Sequence, residues 1–194
     1  SDPLQPTNYY GFTKLIIENN LKWFSKLKKI RYASLRYFNA AGYDLLKRIS
    51  NVERNPQNLI PSMMEVAIGV KKKVRVYGND YNTRDGTGIR DYIHVMDVAE
   101  GHIAAIEFLQ RSKPICMNIN LGTGVKTSIM ELINTFELVN NVKIPYKFKE
   151  KRIGDTPILL AEISLAKKIL NWKAKKSLFE MCKDGWNFAK INLR

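Results

Sequence analysis

Cysteine is nearly absent from this 194-residue chain: there are two, Cys116 and Cys182, far apart in sequence. They form neither a disulfide framework nor a metal-ligand spacing, so a reduced, cytoplasmic protein with no metal site is expected. Long apolar runs are missing as well, which excludes a membrane-spanning helix. The opening Ser1-Asp2-Pro3-Leu4-Gln5-Pro6 is polar, turn-like and without a starting Met, unlike a secretory signal. A chain that opens on a loop, directly before its best catalytic candidate, is expected to be a piece of something longer. Internal repeats and low-complexity tracts are lacking too. Acid is in short supply: 18 Asp and Glu stand against 32 Lys and Arg, a net charge of +14.

That basic excess raises nucleic acid as a partner, and the distribution of the lysines argues against it. They are scattered over several amphipathic segments, and Lys71-Lys72-Lys73 is the one true run, with no flanking aromatics of a single-strand binder. A solvated basic surface, with anionic small molecules as partners, fits better. The apolar fraction of 45% supplies a core for one domain or parts of two.

Taken in order, the pattern predicts a helix from about Tyr9 to Lys28, with Leu15, Ile16, Leu21, Phe24 and Leu27 on an apolar face. A buried strand follows at Tyr32 to Phe38, ending in a turn at Asn39-Ala40-Ala41-Gly42. A polar loop runs to Asn58, and Pro61 sits in the first turn of a helix closed by Gly69. Val74 to Tyr77 reads as a short strand, and a glycine-bearing loop leads into an apolar strand ending near Val95. Capping boxes at Asp97/Glu100, Ser128/Glu131 and Ser177/Glu180 predict three helix starts. Met117 to Leu121 alternates as a strand and ends in Gly122-Thr123-Gly124. Strands alternating with helices of this length imply an α/β fold with a parallel sheet.

Chemistry is concentrated near the start. Tyr10 and Lys14 are one helical turn apart on one face. A phenol titrates near ~10, and a neighbouring ammonium favours the phenolate, which makes Tyr10 a candidate proton acceptor. Many helices carry such a pair by chance. His94, at a strand end with no second ligand nearby, reads as structural, and His102 as helix surface or core.

The ordered series changes the odds. Tyr10-Gly11-Phe12-Thr13-Lys14, Leu35-Arg36-Tyr37-Phe38-Asn39, Tyr77-Gly78-Asn79-Asp80-Tyr81, Asp85 through Val95, Asn120 through Gly124 and Arg152-Ile153-Gly154-Asp155 follow one another. Together they resemble the extended short-chain dehydrogenase/reductase family, and within it the UDP-glucose 4-epimerases. The resemblance covers essentially the whole chain. It implies a partial Rossmann-like parallel sheet (residues 1–38 and 92–127) with a smaller α/β substrate-binding domain (39–91 and 128–194). It implies NAD as cofactor, with Tyr10 and Lys14 catalytic and Tyr37 and Phe38 beside the nicotinamide. It implies UDP-glucose and UDP-galactose as substrates, contacted by Asn39, Asn58, Leu59, Arg75, Val76, Tyr77, Arg90, Arg152 and Asp155, and a homodimer at full length. Leu159 matches a position facing the sugar, where Tyr restricts the pocket and smaller residues admit N-acetylated UDP-sugars. The competing reading places Leu159 in the core.

Two parts of the family pattern are missing: the Gly-rich dinucleotide fingerprint and the small hydroxyl residue expected before Tyr10. The isolated 194 residues are therefore expected to be inactive. Two alternatives stay open: another nucleotide-sugar enzyme of the same family, a dehydratase or decarboxylase, and a non-catalytic remnant that binds UDP-sugars.

Overall fold

The computed structural model describes residues 4–44, 46, 48–53, 55–111 and 116–193. It is a mixed α/β structure whose strands pair largely in parallel. Helix α1 (Tyr9–Lys28) starts where the Asn8 side chain accepts the Gly11 N–H at 2.9 Å, and ends at Lys29 in the left-handed conformation. Strand β1 (Tyr32–Tyr37) lies parallel to β6 (Cys116–Leu121), with Leu35 opposite Ile119. After Phe38, β2 (Asn39–Ala41) pairs in parallel with β5 (Tyr92–His94).

The second half of the fold is built from shorter pieces. Strand β3 (Val74–Tyr77) pairs with β8 (Tyr146–Lys149), and β4 (Ile89–Arg90) lies between β7 (Thr127–Ser128) and β9 (Ile158–Leu159). Helices α2 (Leu59–Ala67), α3 (Val95–Arg111), α4 (Ile129–Asn140), α5 (Ser164–Leu170) and α6 (Leu178–Asn192) complete the chain.

Two apolar clusters organise these elements. One gathers Ile60, Met63 and Met64 of α2, Val74 and Val76 of β3, Leu132, Ile133 and Phe136 of α4, and Met181 and Phe188 of α6. The other gathers Ile93, Ala105 of α3, Met117, Ile119 and Leu121 of β6, and Ala166, Leu170 and Trp172. Helix α5 thus packs with the sheet of β1 and β6, although α6, the next helix in sequence, belongs to the other cluster. The Cys182 thiol lies inside the first cluster, where burial pushes its pKa up to about 12 and leaves it an inert apolar contact.

Four expectations need correction. Asn39 to Ala41 is a strand rather than a turn, because β5 offers it a parallel partner; the turn comes only at Gly42. Strand β1 is half-buried rather than buried, since among the described residues it pairs on one side alone, and Tyr37 is 53% exposed. No residue of α1 is buried, so its apolar side chains form no core face among the described residues. Asp97 is not an N-cap: α3 begins earlier, and the Asp97 carboxylate accepts the Lys175 and Lys176 N–H groups at 3.1 and 2.9 Å. The boxes at Ser128 and Ser177 form with both reciprocal bonds.

His94 is wholly buried, so its placement is structural. Nδ1 accepts the Met96 N–H at 3.0 Å, which puts the proton on Nε2, facing Asp184 at 3.2 Å. Gly42, at φ +74°, lies flat against this ring; a Cβ there would fall 2.3 Å from Nε2. Burial lowers the imidazole pKa below its ordinary 6.5, with Asp184 opposing. The unfolded chain therefore binds the proton first as pH falls. Stability from this site is complete above pH 6.5 and drains away as pH drops toward the lowered folded value. Urea midpoints measured from pH 7.5 to 5 should decline, and a His94→Gln variant should show a flatter profile over that window.

Candidate active site and nucleotide cleft

One cleft, of about 810 Å³, collects residues from separated parts of the chain. Its wall is the β3–β8 pair, where Arg75 faces Lys147 and Tyr77 faces Lys149 in register. Side chains alternate along a strand, so Val74 and Val76 turn the other way into the core while Arg75 and Tyr77 turn toward the cleft. Asn58, the N-cap of α2, and Leu59 form another side, and Asn39 and Arg90 line it from β2 and β4. Arg152 lies over the Tyr77 ring, 4.8 Å from its centroid, and its Nε pairs with Asp155 at 2.9 Å. Arg90 spends one nitrogen, Nη1, on the carbonyls of Ile89 and Thr156, each at 2.9 Å, which fixes the plane of its fork. The Lys71-Lys72-Lys73 run also lines this cleft, and Asp155 is the sole carboxylate of its described lining. Such a space attracts a polyanion.

Tyr10, Lys14, Tyr37, Phe38 and Leu159 lie outside that lining. Tyr10 is 70% exposed, and the Lys14 ammonium sits 5.1 Å from the centroid of its ring. One turn further on, Glu18 accepts from Arg36 Nε at 2.6 Å and from Arg36 Nη2, with Ser34 at 3.3 Å and Asn118 at 3.2 Å. The Arg36 hydrogen bonds hold its carboxyl below the usual range against the opposing pull of burial. Tyr37 and Phe38 stand at the carboxyl end of β1. The start of α1 reaches the cleft's rim: Thr7 Oγ1 donates to the Gly154 carbonyl at 3.2 Å, in the turn between Arg152 and Asp155. Gly154 has φ +85°, and a Cβ on it would come within 3.2 Å of the Thr7 carbonyl. Leu159 is 46% exposed and pairs with Arg90 across β4 and β9, so the core reading of Leu159 is wrong.

A family model described as GDP-mannose 4,6 dehydratase matches residues 1–185. The chain belongs to that family. Within the family, the chain is 44% identical over 192 residues to a UDP-glucose 4-epimerase of Cyamopsis tetragonoloba, covering 98% of this chain and 55% of that protein. It is 42% identical over 193 residues to the UDP-glucose 4-epimerase of Bacillus subtilis, covering 98% and 57%. Among solved structures it is similar to a UDP-glucose-4-epimerase from Stenotrophomonas maltophila with bound NAD and formylated UDP-arabinopyranose. That match has a TM-score of 0.89 at 41% identity and covers 94% of this chain and 55% of that one. The Bifidobacterium longum UDP-glucose 4-epimerase, in complex with NAD+ and UDP, also matches at TM-score 0.89. The chain spans about half the length of the curated relatives it matches.

Three residues are not singled out by the motifs above. Lys147 and Lys149 line the cleft from β8, whose Tyr146-Lys147-Phe148-Lys149 alternates as a strand does. Asp91 lies inside the Asp85–Val95 motif. It is wholly buried, and its carboxylate accepts from Thr123 N at 2.9 Å, Thr123 Oγ1 at 2.7 Å, Gly124 N at 2.8 Å and Ala161 N at 3.2 Å. Its own carbonyl accepts the Asn39 N–H at 3.0 Å. An Asp91→Asn change turns an NH2 toward amide donors and forfeits at least one charge-assisted bond. Urea denaturation should show a loss of about 2–3 kcal/mol, without loss of secondary structure below the transition.

Proposed function

We propose that these residues serve a UDP-glucose 4-epimerase, interconverting UDP-glucose and UDP-galactose together with an NAD-binding, glycine-rich segment that residues 1–194 do not contain. The observation that carries this reading is the cleft. Asn39, Asn58, Leu59, Arg75, Val76, Tyr77, Arg90, Arg152 and Asp155 come from five separate stretches and line one basic space. Arg90 and Arg152 have fork N–H groups left for a diphosphate, which suits arginine's bidentate geometry. Tyr77, with Arg75 and Val76, offers a ring face and strand backbone to uracil. Asp155 takes the ribose, and Asn39, Asn58 and Leu59 contact the rest of the nucleotide sugar.

For the nicotinamide end of NAD, the residues present fit. Tyr10 and Tyr37 are exposed by 70% and 53%, Lys14 stands beside Tyr10, and Phe38 follows the carboxyl end of a parallel strand, where ligands of such sheets bind. When bound, NAD supplies a hydride acceptor and donor for the sugar's C4. Tyr10 takes the proton of the 4-hydroxyl and returns it. Lys14 binds the nicotinamide ribose and places its charge next to the phenol. The exposed Phe12, Ile16, Ile17, Phe24 and Leu27 of α1 suit a homodimer of the completed chain. The two free cysteines suit a reducing, cytoplasmic setting.

The test uses an enzyme of the relatives' full length carrying these residues. Tyr10→Phe keeps the ring and removes the proton acceptor, so turnover should fall by ~10²–10⁴-fold with UDP affinity little changed. Near-parent turnover would remove Tyr10 from the chemistry.

Leu159 extends the reading to substrate range. Its exposed side chain has neither the ring nor the hydroxyl of Tyr, which leaves room for an N-acetyl group. The parent should accept UDP-N-acetylglucosamine to a measurable extent, and Leu159→Tyr should suppress that while sparing UDP-galactose. A pocket group of this size is worth ~1–3 kcal/mol, so the preference is graded. Equal kcat/KM of parent and variant on both sugar pairs would take Leu159 out of the pocket.

A further inference from the structure

Within these residues the apolar packing of α1 is partial: Leu15 and Leu21 are half-buried, and Phe12, Ile17, Phe24 and Leu27, the side chains assigned above to a homodimer, are at least half exposed. A helix is ordinarily keyed to its neighbours by an apolar stripe. Here polar contacts accompany it. At the N-terminal end Thr7 reaches the Gly154 carbonyl, and toward the C-terminal end Ser25 Oγ donates to the Ile30 carbonyl at 2.8 Å and meets Cys116 Sγ at 2.6 Å. Those end contacts limit tilt and sliding. Mid-helix, Glu18 is held by three side chains from two strands, Arg36 and Ser34 of β1 and Asn118 of β6, and its own side chain is 11% exposed.

We propose that Glu18 is a positioning residue: this polar lock sets the rotation of α1 and thereby aims Tyr10 and Lys14. The proposal rests on the epimerase reading, in which Tyr10 is the proton acceptor. Positions 10, 14 and 18 recur at four-residue spacing and so share one stripe of the helix, with Glu18 ~6 Å along the axis from Lys14 and ~12 Å from Tyr10. Side-chain ends lie ~5–6 Å from a helix axis, so a slip of about 10° moves them by about 1 Å. A misplacement of that size costs up to ~10²-fold in rate. The bidentate Arg36 fork is directional, which is what holding an angle requires. The charge is also shared with the strand that ends at Tyr37 and Phe38, so the same lock ties the helix to the strand end assigned to the nicotinamide.

The experiment measures kcat and the UDP dissociation constant in the full-length enzyme for Glu18→Ala and Glu18→Gln, each alone and with Tyr10→Phe. Glu18→Ala should lower kcat ~10–100-fold while UDP affinity stays within about twofold, because the cleft does not include α1. Glu18→Gln, whose amide oxygen still accepts from Arg36, should recover part of the loss. In the Tyr10→Phe background Glu18→Ala should cost clearly less than in the parent, since no phenol is left to aim and only the placement of Lys14 is disturbed. A Glu18→Ala kcat within about twofold of the parent overturns the proposal, as does a full-sized loss that persists in the Tyr10→Phe background. Should Glu18→Ala not fold, Glu18→Gln decides: a loss of about threefold or more in kcat at unchanged UDP affinity supports the lock, and an unchanged kcat overturns it. Near-parent turnover of Tyr10→Phe by itself retires the epimerase reading instead.

Discussion

The buried carboxylate of Asp91 is the point on which the rest of the molecule depends. An isolated ionised carboxylate in an apolar interior costs several kcal/mol at the least, so it persists only where donors converge on it. Here the donors come from the turn after β6 and the chain just beyond β9, while the Asp91 backbone holds Asn39 at the start of β2. Strands as short as β4 and β9 have too few ladder bonds to persist alone. Their pairing brings Arg90 beside Leu159 and aims Arg90 at the Thr156 carbonyl. The cleft side and the sheet side of the fold thus meet at one anion, with Gly122 so close that a Cβ there would lie 2.6 Å from its oxygen.

This explains why some elements were plain in the sequence and others were not. Helix α1 and strand β3 begin and end where the pattern places them, because Asn8 caps the one and Gly78, at φ +80°, ends the other. Both signals are local. The two-residue strands β4, β7 and β9 have no period to read. Asp97 carries the residue spacing of a capping box, yet backbone amides of Lys175 and Lys176 claim its carboxylate, and that competition is invisible within a window around the helix start. The half-exposure of β1 and the exposed apolar side chains of α1 depend on what neighbours them in space, which residue type does not report.

The candidate site divides along the same line. Hydrophobic periodicity places Arg75 and Tyr77 on one face of a strand, but nothing in it brings them to Arg152, Arg90 or Asn58. Motif order supplied that grouping. Lys147 and Lys149 belong to no motif and became visible only through their register opposite Arg75 and Tyr77. The consequence is chemical as well as geometric. Arg90 and Arg152 are committed in orientation by carbonyl and carboxylate partners, whereas the lysines of the β3–β8 wall are compact, strongly hydrated charges. The arginines suit a fixed diphosphate geometry, and the lysines raise the local concentration of anions without dictating their pose.

A division of that kind has a bearing on how a helix and a cleft can cooperate. The groups proposed to hold the substrate sit on β3, β4 and the 152–155 turn, and β3 is backed by the larger apolar cluster. The groups proposed to handle the proton sit on α1, whose mid-helix and end contacts to its neighbours include polar ones, and the segment just before it touches the cleft side through Thr7 on Gly154. Apolar burial is strong but non-directional, and it tolerates small rotations of a packed cylinder. Charge-assisted hydrogen bonds are directional and short-ranged. A helix whose task is to aim a phenol at one oxygen is better served by the second kind of contact, and a cleft that must stay open to a large anionic ligand is better served by a rigid wall of the first.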